Sequence, residues 1–193
     1  MKPKIGILGK GNVGSALKRG LERSGYQVRT VGKDPEGVRE TAAWGDILVL
    51  AVPFPAVDDV LRGIGDAANG KTLVDATNPL TQDFQLALGF TTSAAEELQK
   101  KVPNAKIVKA FNTIFAHQMD SGRAKNGQLT LFAAGGDAEA KSKVLALGRD
   151  IGFDTVEAGP LQNARWLESL AYLNMQLAFA VKVSTDIGFK LVH

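Results

Sequence analysis

The chain has 193 residues, about one domain by length and enough to bury a sizeable core. Its hydrophobic share of 45%, charged share of 22% and net charge of +3 are those of an ordinary soluble globule. It has no cysteine, which excludes disulfides, thiolate metal sites and cysteine nucleophiles, and no basic run longer than Lys100-Lys101 or nucleic-acid motif, so nucleic acid is not expected as a partner.

Residues 4–9 read as a first strand, with an apolar run of only four residues, Ile5 to Leu8. That run is too short for the core of a signal peptide, and a cytoplasmic location is expected. The strand ends in a G-x-G-x-x-G turn made by Gly9, Gly11 and Gly14. A helix over residues 12–24 follows at once, with Val13, Ala16, Leu17 and Leu21 on one face. A strand, this turn and a helix are the context a dinucleotide fingerprint requires. In it Gly9 allows the tight turn, Gly11 lets a pyrophosphate approach the backbone, and Gly14 lets the helix pack on the strand. The free amides of the first helical turn, at Asn12 and Val13, then meet the phosphates.

The rest alternates. Residues 27–31 read as strand two, 36–43 as a short helix and 46–52 as strand three, apolar on both faces and closed by Pro53 and Pro55. A helix over 56–68 leads to strand four at 72–76. An irregular segment, 77–91, precedes a helix over 92–101 that starts behind Thr92 or Ser93. Strands at 106–111 and 128–134, a helix over 138–149, a last strand at 153–158 and one long helix over 161–181 complete the series. The uncharged stretch 169–181 falls short of the roughly 18 residues of a membrane span, so no membrane partner is expected. Repeated βα units predict an α/β fold, a Rossmann-type doubly wound parallel sheet. Residues 1–159 form the nucleotide-binding domain and 160–193 a short C-terminal helical extension.

The end of strand two chooses between the two nicotinamide cofactors. An acidic residue there suits the 2′-hydroxyl of NAD and a basic one the 2′-phosphate of NADP. Lys33 and Asp34 compete for the role. Asp34-Pro35-Glu36 has the composition of a turn and helix start, which favours Lys33 and NADP; Arg29 and Arg39 are further basic candidates.

Four segments end at the expected cleft. Val52, Pro53 and Phe54 follow strand three, Asn78 follows strand four, Phe111 and Asn112 follow strand five, and Gly135 to Asp137 follow strand six. Asn78 and Asn112 are placed to hydrogen-bond a nicotinamide amide or a substrate, or else to make turns. Phe54 and Phe111 are placed to flank the nicotinamide ring or to fill the core. His117, the one internal histidine, is the candidate general acid or a structural residue. No G-x-S-x-G nucleophile motif and no cluster of metal ligands occurs, so a metal is not expected. Hydride transfer fits such a residue set, because the cofactor carries the difficult step.

Several stretches resemble the NADPH-dependent coenzyme F420 reductase family, also called F420H2:NADP oxidoreductase. They are residues 4–14, 32–36, 48–53, 75–79, 108–113 (V-K-A-F-N-T) and 157–161, the last containing G-P-L. The resemblance spans nearly the whole chain. It implies a Rossmann domain with a small C-terminal part, often dimeric, and hydride exchange between NADP(H) and a deazaflavin (F420) in one cleft. Members often carry Ser-Arg after strand two, where this chain has Gly32-Lys33. A related domain reduces flavin in membrane ferric reductases, so a flavin is a second candidate. The final helix is apolar nearly all round, with Trp166, Leu167, Leu170, Tyr172, Leu173, Met175, Leu177 and Phe179, which predicts a homodimer packed on it. The competing functions are an NADPH-dependent reductase of a small carbonyl or imine, and a non-catalytic NADP-sensing module.

Overall fold

A computed structural model describes residues 1–192. Its centre is a seven-stranded sheet ordered β2-β1-β3-β4-β5-β8-β9. The first five strands, β1 (Ile5–Leu8), β2 (Val28–Val31), β3 (Ile47–Leu50), β4 (Thr72–Asp75) and β5 (Lys106–Ala110), are parallel. Residues Ile47 to Leu50 are all buried because helices cover both faces of the sheet. α1 (Asn12–Arg23) and α5 (Ala138–Ile151) cover one face, against Ile5, Ile7, Ile47, Val49 and Val108. α2 (Pro35–Trp44), α3 (Val57–Ile64) and α4 (Ala94–Lys101) cover the other, against Leu8, Leu48, Leu50, Leu73 and Ile107. Strand side chains alternate between the two layers, and each buried Leu, Ile or Val contributes about 1.5–3 kcal/mol.

The sheet departs from the all-parallel expectation at its far end. β8 (Thr130–Gly135) runs antiparallel to β5, and β9 (Asp154–Glu157) is parallel to β8. A parallel return needs a crossover, usually a helix. Between β5 and β8 the chain has only a 3₁₀ turn (Ala116–Gln118) and a small hairpin of β6 (Arg123–Ala124) and β7 (Gly127–Gln128). It therefore re-enters the sheet in the opposite sense. α5 then supplies the crossover to β9.

The helix expected over 56–68 stops at Ile64, because Gly65 takes φ 52°, and a 3₁₀ turn (Gly65–Ala68) follows. The single long C-terminal helix resolves into a 3₁₀ turn (Leu161–Asn163), α6 (Ala164–Met175) and a π turn (Gln176–Ala180). α6 buries Leu167, Glu168, Ala171 and Asn174, a face of helical period that contains two polar residues. Among the described residues no helix is long and apolar enough to cross a membrane.

Candidate functional site

β1 pairs with β2 on one side and β3 on the other, so the connections leaving their carboxyl ends part above β1 and β3. Ligands of open α/β sheets bind at such a switch point. The glycines there have three distinct jobs. Gly9 has φ 132°, and a Cβ on it would lie 2.1 Å from the Ala51 carbonyl oxygen. A Cβ on Gly14 would lie 2.0 Å from the Gly9 carbonyl oxygen, so α1 sits hard against the turn. Gly11 is exposed and a Cβ on it would meet nothing within 4 Å. Two glycines thus close the protein packing and the third keeps open space in front of the helix. Gly11 is the N-cap of α1 and no side chain caps that end. The first-turn amides, including those of Asn12 and Val13, have no partner inside the helix and form its positive end.

A cleft of about 700 Å³ opens from this corner. Gly9, Lys10, Gly11, Gly32, Lys33, Pro35, Arg39, Val52, Pro53, Asp59 and Arg62 are among the residues that line it. Lys33 stands where the sequence placed it. Asp34 is the N-cap of α2, its Oδ2 accepting from the Gly37 amide at 3.0 Å, with Pro35 in the first turn. That carboxylate caps the helix end. Arg29 is not at the cleft; its guanidinium lies over Trp44, 4.3 Å from the ring centroid. Two cations were missed. Lys10 is the first variable residue of the glycine motif, and Arg62 lies one helical turn after Asp59, its only sequence signal.

Phe54 starts the 3₁₀ turn Phe54–Ala56 and packs against the α2–α3 layer. Phe111 corrects the expectation that its ring flanks a nicotinamide. It is 2% exposed and sits in the α1–α5 core, edge-on to Phe153 at 6.1 Å. Its backbone takes φ 67°, a left-handed bend that ends β5 and turns the chain at Asn112.

Asn78 and Asn112 come together above β4 and β5. Asn112 Nδ2 donates to Asn78 Oδ1 at 3.1 Å and to the Leu167 carbonyl at 3.0 Å, and Asn78 Nδ2 donates to the Asn112 carbonyl at 3.0 Å. Asn112 Oδ1 is buried and accepts no hydrogen bond from the protein.

Beneath this pair lies an ion cluster absent from the sequence reading. Lys109, with no solvent exposure, donates to Asp75 Oδ2 at 2.9 Å and to the Thr77 carbonyl at 2.6 Å, and pairs with Glu168 Oε1 at 2.9 Å. Asp75 Oδ1 accepts from the amide and hydroxyl of Thr77. Glu168 accepts from the Ala94 and Ala95 amides at the start of α4. Burial alone drives the ammonium pKa down, and the charges and hydrogen bonds of the two carboxylates outweigh it, so Lys109 stands above the ordinary lysine value. The cluster joins β4, β5, α4 and α6, and its members adjoin Asn78 and Leu167 in the chain.

His117 is not part of this group. It is half exposed on the 3₁₀ turn, stacked on Phe115, with Nε2 3.9 Å from Asp186 Oδ1. A second, apolar cleft of about 430 Å³ lies between the 77–91 segment and the end of α6, lined by Leu80, Phe84, Tyr172, Met175, Gln176, Phe179 and Ala180. Tyr172 Oη hydrogen-bonds Gln85 Oε1 at 3.1 Å, tying that segment to the helix.

The model of the family described as NADP oxidoreductase coenzyme F420-dependent matches residues 4–44 and 38–79. A solved structure of a proposed F420-dependent NADP-reductase from Arthrobacter sp. FB24 superposes with a TM-score of 0.89 at 29% identity, covering 99% of this chain and 100% of that one. Over residues 4–79 the chain is similar to this F420-dependent family. Its fold is that of this NADP-reductase structure. An F420-dependent NADP reductase of Methanocaldococcus jannaschii is 24% identical over 179 residues, 90% of this chain and 78% of that protein. Metalloreductase STEAP3 of Rattus norvegicus is 31% identical over 180 residues, 87% of this chain and 36% of that protein. The chain therefore spans about a third of the length of the metalloreductases it matches. Every residue lining the larger cleft falls inside the family-matched stretches, whereas Asn112, His117 and α6 lie beyond them.

Proposed function

We propose that the chain holds NADP(H) in the β1/β3 cleft and exchanges hydride with a second substrate, a deazaflavin (F420) or a flavin-like ring system. The observation that carries this reading is the open corner at Gly11, set before an uncapped helix end in a cleft with four cations, Lys10, Lys33, Arg39 and Arg62. Such a corner accepts a pyrophosphate on backbone amides. Gly9, Gly11, Asn12, Val13 and Gly14 would hold the pyrophosphate. Lys33 would hold the 2′-phosphate by a charge-assisted contact. Val52, Pro53 and, behind them, Phe54 would bound the nicotinamide end. When bound, NADP(H) supplies the hydride chemistry; the chain's own residues bind, orient and exclude water.

The Asn78–Asn112 pair would position the reactants. Asn112 Oδ1 has acceptor capacity that no protein donor uses. The apolar cleft, with the rings of Phe84, Tyr172 and Phe179, has the chemistry to take a planar second substrate. A carbonyl or imine must be protonated as hydride arrives, and His117 lines neither cleft. This favours a ring acceptor over the carbonyl or imine reading. Trp166 and Leu173 lie seven residues apart on α6, each about half exposed, and form an apolar stripe. We assign that stripe to a homodimer contact, which sedimentation of wild type beside Leu173→Glu tests: a dimer is expected for the first and a monomer for the second.

Fluorescence titration with NADPH and NADH, then a screen of F420, FMN, FAD and small carbonyls for oxidation of NADPH, tests the reading. Binding of NADPH and turnover with a ring acceptor are expected. Lys33→Ala should erase most of the preference for NADPH; unchanged discrimination would remove Lys33 from the 2′-phosphate.

A further inference from the structure

The adenosine end of the larger cleft is a slot between α2 and α3. Its floor is tight, since a Cβ on Gly63 would lie 2.9 Å from Val38 Cγ1. Lys33 and Arg39 face it from the β2 and α2 side, and Asp59 and Arg62 from α3. Asp59 is the one carboxylate among the residues lining the cleft. A carboxylate at this end of a dinucleotide cleft selects a free ribose hydroxyl and rejects a 2′-phosphate, which carries close to two negative charges. In this chain the carboxylate is occupied: the Arg62 guanidinium donates to Asp59 Oδ1 within one turn of α3.

Resting on the NADP(H) reading above, we infer that Arg62 is a specificity-determining residue. It masks Asp59, and the field that remains at the slot is that of Lys33 and Arg39. The pair does little for the fold. Both side chains are about three-quarters exposed, and exposed i,i+3 pairs add little stability. Removing Arg62 uncovers a carboxylate that repels a 2′-phosphate and accepts from a 2′-hydroxyl. The same substitution then harms NADPH binding and favours NADH. Removing Asp59 as well takes away the reason for the mask.

The test is the ratio of NADH to NADPH dissociation constants for wild type, Arg62→Ala, Asp59→Asn and the double variant. Circular dichroism confirms the fold of each, and Lys33→Ala serves as a reference. Arg62→Ala should lower the preference for NADPH by about tenfold, the effect of one uncovered charge at surface dielectric. Asp59→Asn should keep or strengthen the wild-type preference, and the double variant should return to the level of Asp59→Asn. An unchanged ratio in Arg62→Ala overturns the inference. So does a double variant as impaired as Arg62→Ala, because Arg62 would then grip the phosphate itself. In both cases NADPH binding by wild type leaves the proposed function standing. Failure of wild type to bind either nucleotide removes the proposed function and this inference together.

Discussion

Replacing Lys109 by Met tests what holds the second half of the site together. The side chain keeps its length and loses its charge. In the native protein the ammonium has three oxygen partners within 2.9 Å, no solvent exposure, and two carboxylates that are each 1% exposed. Met would leave Asp75 and Glu168 buried with only amide and hydroxyl donors. Breaking a buried pair from one side costs about 3–5 kcal/mol. A domain typically has about 5–15 kcal/mol in total, so the variant should stand near the limit of folding. Urea unfolding followed by far-UV circular dichroism measures the difference. Adding Asp75→Asn and Glu168→Gln removes the stranded charges and should recover most of the loss, which separates charge burial from lost packing. The alkaline limb gives a second reading. The folded-state pKa of Lys109 is raised above the ordinary 10.5, so its contribution is complete below that value and fades as pH climbs through the folded-state value. The gap between wild type and variant should be flat from pH ~7 to ~10 and close above it. A loss under about 1 kcal/mol, the size of an exposed pair, would refute the argument, since it would mean that water reaches the cluster.

Gly11→Ala should leave the melting temperature unchanged, because a Cβ there meets no protein atom within 4 Å, yet weaken NADPH binding by at least about tenfold as it fills the phosphate space. Gly9→Ala is the opposite case: φ 132° and a carbonyl oxygen 2.1 Å from the new Cβ should appear as a fall in the urea midpoint. Asn112→Ala removes two donated hydrogen bonds, to Asn78 and to Leu167, and should cost about 1–3 kcal/mol in urea unfolding. Its kcat should fall while its NADPH dissociation constant holds; an equal loss in both would place Asn112 at the cofactor instead of between the reactants. Tyr26 is pushed up to about 12 by burial, then by the hydrogen bond and charge of Asp150. Its neutral form therefore stabilises the fold fully below pH 10.0 and ceases to as pH rises through about 12. Ultraviolet titration of the two tyrosines should resolve this late step, and Asp150→Asn should move it down.

The glycine corner and the order of its strands and helices were legible because their signals are local. Gly9, Gly11 and Gly14 lie within six residues, and the alternation of apolar runs and amphipathic helices is set by neighbours in the chain. The direction of β8 was not legible in the same way, because it depends on what the preceding connection lacks. Lys109 had a signal that only pairing exposes. It interrupts an apolar strand, and in the parallel ladder it faces Asp75, which interrupts the neighbouring one. Glu168 likewise breaks an apolar helix, and its meaning appears only when α6 lies against β5. Each of the three reads alone as a misplaced charge. Lys109 holds the Thr77 carbonyl next to Asn78, and Glu168 follows Leu167, whose carbonyl accepts from Asn112. The second half of the site is thus built from residues 34 to 93 positions apart, from Asp75 to Glu168, held by a buried charge balance.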